Sequence, residues 1–501
     1  MAEPYQSEIR ESQIRELMGK VRDQDYGTYL RAIKLNTVRA FNNEVVNLDF
    51  PVTAIIGTNG GGKSTILGAA AIAYKTIRPA LFFPKSSIGD DSMANWAIGY
   101  DLIDKSRNAR QTTQRSARFM RSKWVRDDLI DRPVLYFGIN RTVPAGERRE
   151  FKKLATVKYN FTGERAVLVA EIQNEVARVL GKDVSKFEVA TITPKQSFYV
   201  GGDGELSYSE FHFGAGESSI LRMIGEIELA EKNTLVLIEE IENGLHPVAT
   251  RRMVEYLLDV ANRKSIQAIF TTHSEDALLP LPSEAIWSSI DGKVRQGRVS
   301  IEALRAITGR IDQRMAIFVE DKFAKEWVEA IIRSELLDRL EEIGVYAVSG
   351  EGQAYSIHQG HRNNPALKDR LKSLCVIDGD SSKNESIDQG VIKLPGAKPE
   401  NVVFNYVRNN ISELSMKMAV ALHVSPEKET AVRAAIEEVS RTNRDAHLLF
   451  NQVGQKTGFT PESIVSSAFI VQWIDGNRDE VSRIAQFIRT NLEVEDADDR
   501  S

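Results

Sequence analysis

Gly57-Thr-Asn-Gly-Gly-Gly-Lys63-Ser64 has the spacing of a loop that cradles phosphates: a glycine, four residues, then Gly-Lys-Ser. Asn59, Gly60, Gly61 and Gly62 let successive N–H groups turn inward around a polyphosphate. Lys63 reaches the β and γ phosphates, the Ser64 hydroxyl ligates Mg²⁺, and Thr65 follows on the helix. ATP with Mg²⁺ is therefore the expected ligand. A second element is the apolar run Leu235 to Ile238, which leads straight into Glu239 and Glu240. At a strand end beside a phosphate loop, Glu239 would hold Mg²⁺ through water and Glu240 would orient or deprotonate the attacking water. His273, after another apolar run, stands where an imidazole can sense a γ phosphate. A third set lies further on: Glu320 follows Met315 to Val319, and Asp378 and Asp380 follow Leu374 to Ile377. Parallel strands align their carboxyl ends, so these acids can converge on one divalent metal. A solvated sheet edge explains them nearly as well.

The elements that must position these groups can be read from hydrophobic spacing. Val52 to Ile56 reads as a strand entering the glycine loop, and Ser64 to Tyr74 as the helix leaving it. A helix is expected over Arg165 to Leu180, then β structure over Phe187 to Phe213 with a Gly-Gly-Asp-Gly turn at 201–204. Helix and strand then alternate through residues 217–231, 235–238, 247–262 and 266–271, which argues for an α/β sheet. Between the nucleotide motifs there is no heptad run long enough for a coiled-coil arm. A second α/β unit begins near Arg314 with a strand, a helix over 322–334 and the strand before Asp378. From about residue 407 the chain reads as helices, with Ser425-Pro426 and Thr460-Pro461 as N-cap and N1 pairs. The expected parts are thus a helical segment 1–28, an α/β domain 29–295, a smaller α/β domain 310–406 and a helical region 407–501 ending in a frayed acidic tail.

Composition bounds the function. The 501 residues exceed what one core organises, and 42% hydrophobic with 27% charged residues describes a globular protein. The single cysteine, Cys375, excludes an intramolecular disulfide framework and fits a core position. The N-terminus lacks the blocks of a signal peptide and no run approaches the roughly 20 apolar residues of a membrane span, so a cytoplasmic protein without membrane association is expected. A net charge of −5 gives no global attraction to DNA. A local patch, Lys105 to Arg126, carries eight Lys or Arg and no acid, with Phe119 and Trp124 interleaved. It is a candidate nucleic-acid contact, and equally an exposed hairpin with solvated charge.

Taken in order, Asn59-Gly-Gly-Gly-Lys-Ser, Phe213-Gly-Ala-Gly-Glu217, Glu239-Glu-Ile-Glu-Asn-Gly-Leu-His-Pro247 and Thr271-Thr-His-Ser resemble the Walker A, signature, Walker B with D-loop, and switch-histidine motifs of ABC ATPases. The Glu-Asn-Gly-Leu-His-Pro form resembles the SMC-like and OLD-type ATPases, over about residues 28–290. The resemblance implies an ABC-type ATPase head without a long arm, and two subunits sandwiching two ATP molecules as a homodimer or higher oligomer. In such a dimer Gly214, Gly216 and Glu217 of one subunit face the phosphate loop of the other. Two departures bear on turnover: Glu239 replaces the usual Asp, and Gly214 replaces the signature serine, so slow switching is expected. No residue clearly matches the family's glutamine loop; Asn140 occupies that region. Glu320 with Asp378 and Asp380 resembles the metal site of a TOPRIM domain, which OLD-type proteins carry directly after the ATPase. Here Asp321 stands where that pattern has Gly, and Ala324 where it often has Asp; Glu400 is a possible later acid. Three functions follow from the resemblance: the ATPase subunit of a Septu-type anti-phage system built around a separate HNH nuclease, a self-sufficient OLD-type nuclease, or a RecF-like DNA-repair ATPase.

Overall fold

A computed structural model of the chain describes residues 11–493, apart from residues 87, 91, 108–111, 157–160, 162, 194–195, 204–205, 291, 299–302, 304–305, 307–312, 349–351, 365–366 and 368–370. The chain divides into two compact units, Met1–Ile301 and Glu302–Ser501.

In the first unit the strands are β1 (Thr28–Val38), β2 (Phe41–Asn47), β3 (Val52–Gly57), β4 (Ala97–Asp104), β5 (Thr113–Met120), β6 (Lys123–Arg126), β7 (Val134–Phe137), β8 (Arg165–Val167), β9 (Glu188–Thr193), β10 (Gln196–Asp203), β11 (Leu206–Ser209), β12 (Leu235–Ile238), β13 (Gln267–Thr271), β14 (Ile286–Ile290) and β15 (Lys293–Gln296). They form three sheets, ordered β2-β1-β4-β5-β6, β11-β10-β9-β8 and β15-β14-β3-β13-β12-β7. In the last of these, β14, β3, β13, β12 and β7 all run parallel. Every residue of β3, β12 and β13 is buried, as continuous apolar runs in a parallel sheet covered on both faces require.

The helix Lys63–Ala71 is apolar on all sides because it lies inside one core, between Leu30, Ile33 and Leu35 of β1 and Ile55, Leu237 and Ile269 of the parallel sheet. Its start is therefore held rigidly at the end of β3. Among the described residues the longest helix, Pro247–Lys264, has 18 residues, too short for a coiled-coil arm. The helix expected from Arg165 begins instead at Ala170: residues 165–167 pair with β9 as β8, and Gly181 in the left-handed region closes the helix. The residues 201–203 expected in a turn belong to β10; Gly204 and the acidic tail from 494 lie outside the described residues.

The basic segment is a hairpin of β5 and β6. Lys105, Arg107, Arg115 and Arg126 of this segment are engaged. Arg126 donates to the carbonyls of Ile72, Tyr74 and Ile77, Arg107 pairs with Asp104 and Asp128, and Lys105 with Asp25. Phe119 and Trp124 pack against each other, and Trp124 also packs on Phe83, so they build core rather than present stacking faces.

The second unit holds β16 (Met315–Val319), β17 (Ile343–Ala347), β18 (Lys372–Ile377) and β19 (Val391–Lys393), all parallel, in the order β17-β16-β18-β19. The boundary expected at 406/407 falls inside the helix Pro399–Asn409. Sheet and helices share one core: Phe323 stacks on Phe450, Phe404 on Phe469, and Trp327 meets Trp473 edge-on at 4.7 Å. Pro461 is the N-cap of the helix Glu462–Gly476 rather than its first turn, and Pro426 opens a short 3₁₀ turn. Cys375 is buried, and burial raises its thiol far above the ordinary range, which makes it a core residue. No helix among the described residues is long and apolar enough to cross a membrane.

Phe469 is fully buried at this junction. Phe469→Ala is expected to cost about 3–5 kcal/mol, read as a lower denaturant midpoint for the second unit's transition followed by Trp327 and Trp473 fluorescence.

Candidate functional site

The order β3-β13-β12 sets the site. β13 pairs with β3 on one side and β12 on the other, so the loop after β3, His273 beyond β13 and the acids after β12 emerge side by side at the carboxyl end of one sheet. Lys63, 6% exposed, folds back across its own loop: Nζ donates to the carbonyls of Gly57 at 3.0 Å and Thr58 at 3.2 Å and lies 2.8 Å from His273 Nε2. The same Nε2 is 3.5 Å from Glu240 Oε1. Lysine, histidine and glutamate thus form one contact chain across the three strand ends.

The loop fits a polyphosphate. Gly62 has φ of 101°, and a Cβ there would lie 2.3 Å from the Phe41 ring, so only glycine lets the loop close onto β2. Ser64 is exposed at the first turn of the helix, whereas Thr65 is buried and accepts from Arg39 at 2.8 Å. Thr65 is accordingly occupied in holding the helix to β1–β2.

Burial lowers the Lys63 ammonium, and Glu240 and Glu242 oppose that fall. Burial pushes Glu240 up to about 7, aided by Glu242, with Lys63 pulling the other way. Glu240 also takes a left-handed backbone, φ 45°, pinned by its N–H donating to Thr271 Oγ1 at 2.8 Å. A carboxylate poised near neutrality beside a lysine and a histidine suits a general base. Glu239 is half-buried and hydrogen-bonded to the Tyr136 hydroxyl.

Several functional neighbours carry no sequence signal of their own. Arg141 is buried and donates to the carbonyls of Gly138, Glu239 and Glu240 and to Ser219 Oγ, which locks the acidic strand end to the helix Ala215–Leu229. Asn140 beside it is exposed. Glu242 accepts from Thr272 Oγ1 and the His273 N–H, at 2.7 and 2.6 Å, and so fixes the histidine. Glu210, fully buried, accepts from Ser218, Arg222 and the Tyr199 N–H and lies 3.6 Å from Arg148.

The signature segment occupies the start of the helix Ala215–Leu229, with Gly214 as its N-cap. A Cβ on Gly216 would lie 2.2 Å from the Gly244 carbonyl oxygen, so the signature helix abuts the D-loop through backbone. Glu217 pairs with Lys182.

In the second unit, Glu320 and Asp378 follow adjacent parallel strands, and with Asp321, Asp380, Ser381, Lys398, Glu400 and His447 they line a cavity of about 410 Å³. Asp321 caps the next helix, accepting from the Ala324 N–H at 2.7 Å. Burial, then the nearby Asp321, Glu320, Glu400 and Asp380, push Asp378 up to about 8.

Residues 102–279, which include Glu240 and His273 and exclude the phosphate loop, match a family described as an AAA domain, a description that also names AbiEii toxin and a Type IV TA system. No curated protein matches the chain. Among solved structures, the chain is similar to the Smc head domain with an extended coiled coil, bound to the C-terminal domain of ScpA, from Pyrococcus furiosus (11% identity, 56% of this chain and 98% of that one, TM-score 0.38). It is also similar to the SMC head domain from Thermotoga maritima (13%, 54% and 99%, 0.33) and to the recombination mediator RecF with ATP (11%, 54% and 99%, 0.34). The first unit is an α/β fold in which the glycine loop leaves β3 at the carboxyl end of a sheet whose strands β14, β3, β13, β12 and β7 run parallel.

Lys63→Ala removes the only loop cation and is expected to lower ATP affinity at least 100-fold by calorimetry; unchanged affinity would exclude this loop as the site. Glu240 acts as a base only when ionised, so with a pKa raised to about 7 the kcat/KM for ATP should rise through pH 7 and level off above it. Glu240→Gln should retain ATP binding and abolish that pH-dependent limb.

Proposed function

We propose that this chain is the slow ATPase subunit of a bacterial anti-phage complex and acts by regulating a partner nuclease, an HNH protein in the Septu-type arrangement. The observation that carries the ATPase part is the contact chain from Lys63 through His273 to Glu240. Lys63, with the amides of Asn59 to Gly62, would hold the β and γ phosphates, and Ser64 and Glu239 would hold Mg²⁺. The ion would screen phosphate charge and orient the terminal group. Glu240 would take a proton from the attacking water, and His273, held by Glu242, would follow the γ phosphate. Gly214 offers backbone and helix terminus but no hydroxyl, and Glu217 is engaged by Lys182, so the site that a second subunit would complete is poor in side-chain donors. That favours a switch over a motor.

The partner-nuclease reading draws support from Asp321, which serves the helix cap at the position where the TOPRIM pattern has glycine. A self-sufficient OLD-type nuclease is the second reading, favoured by Glu320, Asp378 and Asp380 lining a single cavity. The RecF-like repair reading shares the ATPase and leaves that cavity structural. DNA would reach the hairpin β5–β6 through charges such as Arg118, Arg121 and Lys123, since Lys105, Arg107, Arg115 and Arg126 are engaged within the chain.

The separating experiment is plasmid cleavage by purified protein with Mg²⁺ or Mn²⁺, with and without ATP. Little cutting is expected until an HNH nuclease from a neighbouring gene is added. Robust cleavage by this chain alone, abolished in Asp378→Ala, would overturn the leading reading in favour of the second.

A further inference from the structure

The cavity at the carboxyl end of the second sheet carries more acid than its partners offset. Glu320, Asp321, Asp378, Asp380 and Glu400 share it with one lysine, Lys398, and one imidazole, His447. Within it, Asp321, Glu400 and His447 offer ligand atoms that all lie within 4.8 Å of one another. The three come from separate elements: the N-cap after β16, the first turn of the helix Pro399–Asn409, and the 3₁₀ turn Ala446–Leu448. Glu400 is 5% exposed and its Oε1 lies 2.7 Å from His447 Nδ1. Capping uses one acceptor site of Asp321, and a carboxylate retains others for a cation.

A separate observation points to a ligand. Ser381 lines the same cavity, is 6% exposed, and its hydroxyl has no hydrogen-bond partner among the described residues. Leaving such a group unsatisfied costs about 1–3 kcal/mol, a cost that a bound ion with its water shell removes.

We propose that Asp321, Glu400 and His447 form a site for one divalent transition metal, Zn²⁺ in preference to Mg²⁺, distinct from the Glu320, Asp378 and Asp380 set. The donor set decides the ion. Imidazole with two carboxylates suits first-row transition metals, whereas Mg²⁺ takes oxygen ligands and keeps its waters. Three protein ligands would leave such an ion an open position for water. It ties the sheet end to the C-terminal helices, so binding stabilises this unit by linkage. This holds whether or not the cavity cuts DNA.

The test uses the full chain, stripped with chelator and free of nucleotide, titrated calorimetrically with ZnCl₂ or MgCl₂ and followed by thermal unfolding. Zn²⁺ should bind one site at least 100-fold more tightly than Mg²⁺ and raise the unfolding temperature. The His447 side chain is 74% exposed, so His447→Ala leaves the fold intact. That variant should lose tenfold or more in Zn²⁺ affinity and change Mg²⁺ affinity less than twofold. Asp380→Ala, outside the proposed ligand set, should keep Zn²⁺ binding within threefold. Zn²⁺ binding no tighter than Mg²⁺, or Zn²⁺ affinity unchanged in His447→Ala, would overturn the site. Nuclease activity, read separately, has no bearing on either result.

Discussion

The parallel pairing of β13 between β3 and β12 is the constraint on which the first unit depends. Parallel strands end at the same edge, so one pairing register delivers the phosphate loop, His273 and Glu240 to neighbouring positions although they are far apart in sequence. A slip of one residue would turn β13's side chains to the opposite faces and carry His273 away from Lys63. The register is secured by burial. β3, β12 and β13 have no exposed face, and any shift would bring polar strand ends into the core.

Around that edge, polar networks turn a buried sheet into a site with fixed geometry. Arg141 holds the carbonyls of Glu239 and Glu240 and the hydroxyl of Ser219, and Glu242 holds His273 through two hydrogen bonds. Hydrogen bonds that involve a charged group, as these do, contribute about 1.5–3 kcal/mol each. Their effect is to make the acidic strand end and the signature helix move together. Gly216 against the Gly244 carbonyl adds a backbone contact to the same joint. A displacement of the acidic strand end would therefore be transmitted to the start of the helix Ala215–Leu229.

The second unit solves a different problem. Its four-stranded sheet is completed by helices that sequence spacing would assign to a separate region, because Phe404, Phe450 and Phe469 close one core over both. That closure brings Glu400 and His447 over the acids at the strand ends. Without those helices the strand-end carboxylates would lie on an open sheet edge; with them, the acids sit in a cavity and Asp378 is pushed up to about 8.

The local chemistry was legible in the sequence. The glycine loop, the apolar strands before each acid and the alternation of helix and strand are short-range patterns, fixed by backbone sterics and by burial of both sheet faces. Those patterns carry Glu240, Glu320 and Asp378 to strand ends and Lys63 to a helix start. Short edge strands such as β8, with all three residues exposed, give no such pattern, so the helix was placed too early at Arg165. What only the tertiary structure decided are long-range juxtapositions: Arg141 across Glu239 and Glu240, Glu217 on Lys182, the basic hairpin's arginines turned onto nearby carbonyls, and His447 on Glu400. A charged residue in a polar stretch reads as solvated surface. Its sequence records the charge, while the partner that gives it a role is supplied by another element folded against it.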